Sequence, residues 1–360
     1  MPLTKSPPLK IPETITAWKP QPIPELSSFN RDWTNSNTKA LCLDVVHDEL
    51  SRYKAEAFEE ANRRNNELLE RVVAELDRRN MTDERALSTF KDPSMQFDYG
   101  EAQKAYMKAG TPELAAILSN ILAEWARESS RSVLQIALGE AIQVAPKLVE
   151  SQMATLALVF ILVRTVQLTI NSHKAFANYI RNVILLIYKK VVSQKQSEFQ
   201  HISFTGCSQN LAVRRKSSSL FLSTYPGLFM SGFIAGKLTE DSDESSLTDL
   251  YPGLFLECLN NKDLLQINAI SEDSLNQLME KLNVKPEHQS QINHLFKENR
   301  MSEDTAQELI IRLVPEMQEF FDYWSNSGIG YLNLSSVGII IGAQYAKLVT
   351  GEEFDLSIWI

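Results

Sequence analysis

The sequence predicts a mainly α-helical protein, built as a multi-helix bundle with a long N-terminal helix and a mixed C-terminal region of minor β content. Apolar residues recur at spacings of three and four along most of the chain, the period of an amphipathic helix. Only 13 of the 360 residues are glycine, and long runs of Leu, Ala, Glu and Lys favour helices over sheet. Hydrophobic residues at 44% and charged residues at 22% are ordinary for a globular protein.

Composition along the chain predicts four segments. Residues 1–34 form a disordered arm, because half of the 14 prolines fall within the first 24 residues and no apolar core segment accompanies them. Residues 35–196 form a helical bundle, and residues 197–265 form an irregular region. Residues 266–360 form a C-terminal helical region that ends in a short strand, "FDLSIWI".

The first long helix is predicted from about Asn35 to Arg79. Its apolar residues recur so that they lie along one stripe of the helix, and its other face is heavily charged. The stripe consists of Val46, Leu50, Tyr53, Ala57, Ala61, Leu68, Val72 and Leu76. This pattern predicts a helix that packs in a bundle or in a dimeric coiled coil.

Helix boundaries follow from capping residues. Thr82 caps a short helix that begins at Asp83 and ends at Asp92 and Pro93. The next helix begins at Pro112, with Thr111 as its cap. Farther on, Met153 to Val163 is an uninterrupted apolar run of eleven residues. Because a spanning helix needs about twenty apolar residues, the run predicts a buried central helix and no integral membrane segment.

The pentapeptide YPGLF occurs twice, at residues 225–229 and 251–255. Proline and glycine at its second and third positions suit a type II turn, in which glycine takes a positive φ; a helix that starts at the proline is the alternative. Neither arrangement supplies a group for acid, base or nucleophilic chemistry. We therefore expect two anchoring turns, in which a glycine-to-alanine change is harmful only where φ is positive.

The C-terminal region is predicted from its caps. Ser271 and Ser302 each precede two acidic residues at a helix start, and one helix is expected from about Glu303 to Trp324. A short extended piece and a helix capped by Ser335 or Ser336 follow. In that last helix, Gly338 and Gly342 share a face and permit close packing of a second helix.

The sequence contains few residue patterns that indicate catalysis or the binding of a metal or cofactor. The five histidines form no metal-ligand pair, and the three cysteines are scattered, as expected in a reducing cytoplasm. No phosphate-binding or dinucleotide loop is present, so no cofactor and no metal are predicted. His201 and Cys207 are near neighbours in "HISFTGCSQN" and could form a nucleophile pair. Enzymatic activity at that pair is kept as an alternative, although the sequence favours a protein without a catalytic site.

Charge is unevenly distributed. The net charge of −9 argues against a nucleic-acid-binding role. Yet residues 164–216 hold nine basic residues and one acid, whereas residues 237–281 hold ten acids and three lysines. These segments could neutralise each other, or the basic one could bind a partner or a phosphate. The candidate residues for that second role are Lys189, Lys190, Arg214, Arg215 and Lys216.

Residues from about Tyr53 to Thr165 resemble a module of bacterial abortive-infection alpha proteins. The helix "AEAFEEANRRNNELLERVVAEL" is similar to the alanine- and arginine-rich helix of that family. In the following helices, the positions that match are Glu113-Leu114, Leu118, Ile121-Leu122-Ala123 and the turn Ala145-Pro146-Lys147-Leu148. The resemblance implies a bacterial, phage-defence setting and brings no catalytic residues with it.

The sequence therefore predicts a cytoplasmic interaction or sensor protein of bacterial phage defence, with a protein partner or a homo-oligomeric state. Two alternatives stay open. One is an enzyme with a site near His201 and Cys207. The other is a peripheral membrane effector that uses the basic region 164–216 at a membrane surface.

Overall fold

The computed structural model describes residues 36–81, 88–128, 131–191, 195–234 and 246–360, with side chains from Asp44 onward. The predicted arm at 1–34 and most of the helix predicted at Asp83 lie outside the described residues. The chain forms two compact units, Met1–Glu59 and Glu60–Ile360. Helices dominate the described residues and the strands are short, which confirms the predicted mainly α fold.

Helix α1 spans Ser36–Arg78, close to the predicted range. Leu68, Val72 and Leu76 are buried in the hydrophobic core of the second unit, which confirms bundle packing for this part of the stripe. The charged face carries exposed arginine–glutamate pairs, such as Arg63 with Glu60 at 2.8 Å. Exposed pairs of this kind contribute little to stability, so the apolar contacts hold this part of α1.

Four helices follow in the second unit. They are α2 (Pro93–Ala109), α3 (Pro112–Trp125), α4 (Val133–Val144) and α5 (Glu150–Arg164), with a 3-10 turn at Ala145–Lys147 between the last two. Helix α3 begins at the predicted residue. Every residue of α5 from Gln152 to Leu162 is buried, which confirms the predicted central helix. Among the described residues, no helix has the length and apolarity to cross a membrane.

Helix α2 adds to the sequence prediction. Asp92 and Pro93 were expected to end a helix, and the described residues 88–89 are helical while 90–92 are not; the same two residues also begin the next helix. The Ser94 N–H donates a hydrogen bond to the Asp92 carboxylate at 2.7 Å, and Pro93 occupies the first helical position. Proline is tolerated there because the first-turn N–H groups have no partner within the helix.

The middle of the chain consists of short elements. They are α6 (His173–Tyr179), α7 (Leu185–Tyr188), α8 (Gln196–Phe204), the strand β1 (Ser208–Asn210) and α9 (Ser217–Thr224). A π-helical turn, Ile180–Ile184, joins α6 to α7. The buried apolar side chains of these elements belong to the same cluster as those of α5.

Residues 230–296 form a second, smaller buried cluster. Its elements are α10 (Leu247–Leu250), β2 (Phe255–Cys258), β3 (Asn261–Ile267), α11 (Glu272–Lys281) and α12 (Pro286–Glu298). Strands β2 and β3 pair as an antiparallel hairpin. The main cluster contains residues up to Phe229 and resumes at Ala306. The second cluster is therefore an insertion, in sequence, into the main one.

The two YPGLF copies lie in different clusters and have different conformations. The first is a 3-10 turn, Pro226–Phe229, in the main cluster. The second is the predicted turn in the smaller cluster: the Leu254 N–H donates to the Tyr251 carbonyl at 3.1 Å, and Gly253 has a φ of 89°.

Gly227 of the first copy lacks a positive φ, yet a Cβ there would collide with the carbonyl oxygen of Ala269. The expectation that only a positive φ makes these glycines necessary is therefore wrong at Gly227.

The C-terminal elements are α13 (Glu303–Leu313), α14 (Met317–Asn326), β4 (Leu332–Leu334) and α15 (Ser336–Thr350). Ser302 caps α13, and Ser335 caps α15, as predicted. The single helix expected from Glu303 to Trp324 is two helices, because Pro315 lies between them and has no N–H to continue the ladder. The closing segment is a 3-10 turn, Leu356–Ile358, and not the predicted strand.

Helix α15 packs closely on the middle of the chain. A Cβ on Gly342 would come within 2.8 Å of the Leu156 carbonyl oxygen, and a Cβ on Gly338 would collide with the carbonyl of Cys207. These contacts confirm the close packing that the glycine spacing predicts. Just before α15, β4 pairs antiparallel with β1, Gln209 opposite Asn333.

Candidate functional site

The basic residues predicted to bind a partner or a phosphate mostly contact their own chain. Lys190 Nζ lies 3.3 Å from Glu150, and Lys216 Nζ lies 3.0 Å from Glu303. Lys189 is exposed and lines a cavity of about 540 Å³ together with Arg181 and the acidic Glu316 and Glu319. The basic region is thus neutralised in part by carboxylates outside the predicted acidic segment 237–281.

The two arginines of this set also have partners in the chain. Arg214 donates to the carbonyl oxygen of Ser325, and Arg215 donates to Asn333 Oδ1 at 3.0 Å. Burial lowers the pKa of Arg215, and the nearby charge of Arg164 lowers it further. A phosphate bound here would compete with these contacts. The binding role of the five basic residues stays a prediction.

His201 and Cys207 have separate hydrogen-bond partners. His201 Nδ1 bonds the buried Gln152 side chain at a distance of 3.1 to 3.2 Å. The Thr205 hydroxyl donates to Cys207 Sγ at 3.5 Å, and burial raises the pKa of that thiol. A nucleophilic cysteine requires the opposite, a thiolate stabilised by a neighbouring base or cation. The geometry therefore gives no support to a Cys–His pair.

A cleft of about 1040 Å³ lies beside α2 and α4 and was not predicted from the sequence. Asp98 lines it, and the Trp125 indole N–H donates to the Asp98 carboxylate at 3.0 Å. Burial raises the pKa of Asp98, and the bond from Trp125 partly offsets this. A Cβ on Gly139 would approach the same carboxylate to 2.8 Å, so the carboxyl group lies against the backbone of α4.

The wall of this cleft carries both signs of charge. Its other ionisable side chains are Lys91, Asp92, Glu128, Arg131 and Glu140. Such a recess can hold a small polar ligand by hydrogen bonds to Asp98. Within the described residues, no three histidine, cysteine or acidic side chains are grouped closely enough to hold a metal ion.

A buried charge network joins the last turn of α1 to α3 and α15. Lys347 Nζ lies 2.6 Å from Glu75 and 3.0 Å from the amide oxygen of Asn120. Arg79 lies between Glu75, at 2.7 Å, and Glu124. Burial raises the pKa of Glu75, but hydrogen bonds from Arg78, Lys347 and Arg79 outweigh it and lower the pKa to about 2.

This network is structural, because each charge has an opposite partner and the side chains of Glu75, Arg79, Glu124 and Lys347 are only 9 to 12% exposed. Removing one member would leave a buried charge without compensation. Sequence reasoning missed it, although Lys347 alone in the apolar helix "GIIIGAQYAKLV" was a signal that a buried partner exists.

The N-terminal part of α1 presents apolar side chains to solvent. We name Val46, Leu50, Tyr53 and Ala57 the N-terminal stripe. Its three large side chains are 51%, 58% and 54% exposed, in chain order. Among the described residues, no bundle packing is seen for this part of the predicted stripe, and the alternative of a dimeric coiled coil stays a prediction. Exposed apolar residues that share one helix face typically mark a surface that binds another protein.

Comparisons with known proteins place the chain in one family. A protein-family model described as ":-like" matches residues 33–360, nearly the whole chain and the N-terminal stripe with it. The description states no activity, ligand or partner. Searches of curated proteins and of solved structures found no match.

Proposed function

The chain belongs to the family described as ":-like", and on its exposed N-terminal stripe we propose that it is an interaction or sensor protein of bacterial phage defence. It acts in the cytoplasm, by contact with another protein and without a catalytic site of its own. The phage-defence setting comes from the resemblance of residues 53–165 to abortive-infection alpha proteins. The mode of action comes from the stripe.

One observation carries the proposal. Val46, Leu50 and Tyr53 are more than half exposed, although leaving about half of a large apolar side chain in water costs about 1–1.5 kcal/mol relative to burial. Three of them on one helix face form a surface whose burial in a complex is favourable. By contrast, His201 and Cys207 hydrogen-bond to groups that do not activate them.

Phage plating tests the proposal. Bacteria that express the chain alone are expected to reduce plaque formation, and the Leu50→Glu variant is expected to lose that protection. Phe58→Glu is the matched control, because Phe58 is 68% exposed on the same helix but lies outside the stripe. The proposal fails if the chain gives no protection, or if Leu50→Glu protects as well as the wild type.

A specific observation also favours a second function, binding to a membrane surface. Phe204 and Val213, both in the basic region 164–216, are 89% and 78% exposed. Val213 directly precedes Arg214, Arg215 and Lys216, and basic residues beside apolar ones attract anionic lipids. Co-sedimentation with phosphatidylserine vesicles, compared for the wild type and Phe204→Glu, tests it. Equal sedimentation of both proteins would exclude this role for Phe204.

A further inference from the structure

We propose that the N-terminal stripe binds the same stripe on a second copy of this chain, in a parallel coiled coil. The inference rests on the proposed function, because it names the partner that binds to the surface used in that function. It is argued from the spacing of the stripe, from the charges beside it, and from its exposure among the described residues.

The spacing of the stripe is that of a coiled coil. From Val46 the next members follow after four, three and four residues, at Leu50, Tyr53 and Ala57. Repeats of four and three residues are the d and a positions of a heptad, which face the neighbouring helix. Val46 and Tyr53 therefore occupy d positions, and Leu50 and Ala57 occupy a positions. Seven residues before Leu50, the preceding heptad position a is Leu43 in the sequence, which extends the apolar series by one residue.

The charges beside the stripe favour a parallel arrangement. Glu49 precedes Leu50 and so occupies a g position, while Lys54 follows Tyr53 and occupies an e position. In a parallel coiled coil, a g residue lies beside the e residue five positions later on the other helix. Glu49 of each copy then lies beside Lys54 of the other copy, and the two-fold symmetry produces two such pairs. An antiparallel arrangement would bring Glu49 close to Glu56 of the other copy.

The described residues of the chain leave the stripe exposed. Its large side chains at residues 46–53 are more than half exposed, whereas Leu68 and Val72, farther along α1, are buried within the second unit. The next d and a positions of the heptad are Glu60 and Arg64, so the apolar seam ends at Ala57. A second copy supplies a matching apolar face of the same length.

Two adjacent valines provide the first test. Val46 lies in the stripe and Val45 lies outside it, and they are 51% and 56% exposed. Light scattering coupled to gel filtration should show the full-length wild type and Val45→Glu as oligomers that dissociate on dilution. Val46→Glu should raise the dissociation constant by about tenfold or more, since a charge at a d position loses its apolar contact. A monomeric wild type, or equal effects of the two changes, would overturn the proposal.

Charge reversal tests the orientation. Glu49→Lys should weaken a parallel assembly by about threefold to tenfold, because it faces Lys54 of the other copy. Adding Lys54→Glu to it should restore the affinity. In an antiparallel assembly, Glu49→Lys alone would strengthen association, because it faces Glu56, and that result would refute the parallel arrangement. The ion pair of Glu49 with Arg52 in its own helix is exposed, so its loss has little effect.

Measuring mass and phage protection on the same variants separates this inference from the proposed function. If Val46→Glu dissociates the protein and protection is unchanged, self-association stands and the proposed role of the stripe falls. If the wild type is a monomer and Val46→Glu loses protection, the stripe binds a different protein and self-association is refuted.

Discussion

Replacing Phe229 with alanine should destabilise the protein far more than the same change at Phe255, although both end a YPGLF sequence. The Phe229 side chain is fully buried, and its ring lies edge-to-face on that of Phe176 with 5.7 Å between centroids. Emptying such a site costs about 3–5 kcal/mol. Phe255 is partly exposed beside Phe233, so its truncation loses less burial and leaves a site that water can reach, at a cost of about 1–2.5 kcal/mol.

Urea unfolding followed by far-ultraviolet circular dichroism measures both free energies. Phe204→Ala is the control, since its side chain is 89% exposed and its removal should change stability by no more than about 0.5 kcal/mol. Equal midpoints for the Phe229 and Phe255 variants would refute the argument from burial. An unchanged midpoint for Phe229→Ala together with lost phage protection would show that YPGLF is a functional motif instead of an anchoring turn.

Three further predictions use the same unfolding assay. Gly227→Ala should lower stability more than Gly253→Ala. The new Cβ at residue 227 would collide with backbone atoms, whereas the Cβ at residue 253 would meet open space and would bear only a strain of about 1–2 kcal/mol from the positive φ. The reverse order would refute the steric argument. Tyr225→Phe and Tyr251→Phe should each cost about 1–2 kcal/mol, because each hydroxyl accepts a hydrogen bond from a backbone N–H that would lose its partner; midpoints equal to the wild type would contradict this. The pKa of Glu75 is lowered from 4.5 to about 2, so its contribution is complete above pH 4.5 and is lost as pH falls toward 2. Glu75→Gln should lack that part of the acid sensitivity, and an unchanged acid profile would contradict it.

Helices were predictable wherever local sequence decides them. The start of α3 at Pro112 and the caps at Ser302 and Ser335 depend on residues within one turn of the helix end. The buried α5 followed from an apolar run too short to cross a membrane. The helix start at Pro93 and the break at Pro315 were missed because proline can begin a helix or separate two helices, and the residues around it decide which.

Contacts between distant segments were not predictable. Strands β1 and β4 are three residues each and more than a hundred positions apart, so neither has a pattern of its own. The Asp98 cleft needs α2, α3 and α4 in place before Trp125 can reach the carboxylate. Gly227 shows the same limit. Only glycine fits at this position because a Cβ would collide with the backbone of Ala269, which lies in the other buried cluster.

The same limit applies to the N-terminal stripe, for which a bundle and a dimeric coiled coil were both predicted. The period of a helix tells which residues share a face, but not what that face contacts. Leu68 and Leu50 have the same place in the pattern, and one is buried while the other is 58% exposed. The apolar period alone therefore does not identify what covers residues 46–57, which the described residues of the chain leave exposed.

The two parts of α1 therefore have different determinants. The last turn depends on Glu75 and its cationic partners, whose removal leaves a buried charge and costs stability. The stripe at 46–57 contributes little to the fold of a single chain, because its side chains are already exposed to water in it. Changes in the stripe should consequently alter association and leave the urea midpoint of the dissociated chain in place, whereas changes at Glu75 should do the reverse. Stability and interaction are thus separable along one helix, and this separation makes the stripe variants a clean test of what the protein binds.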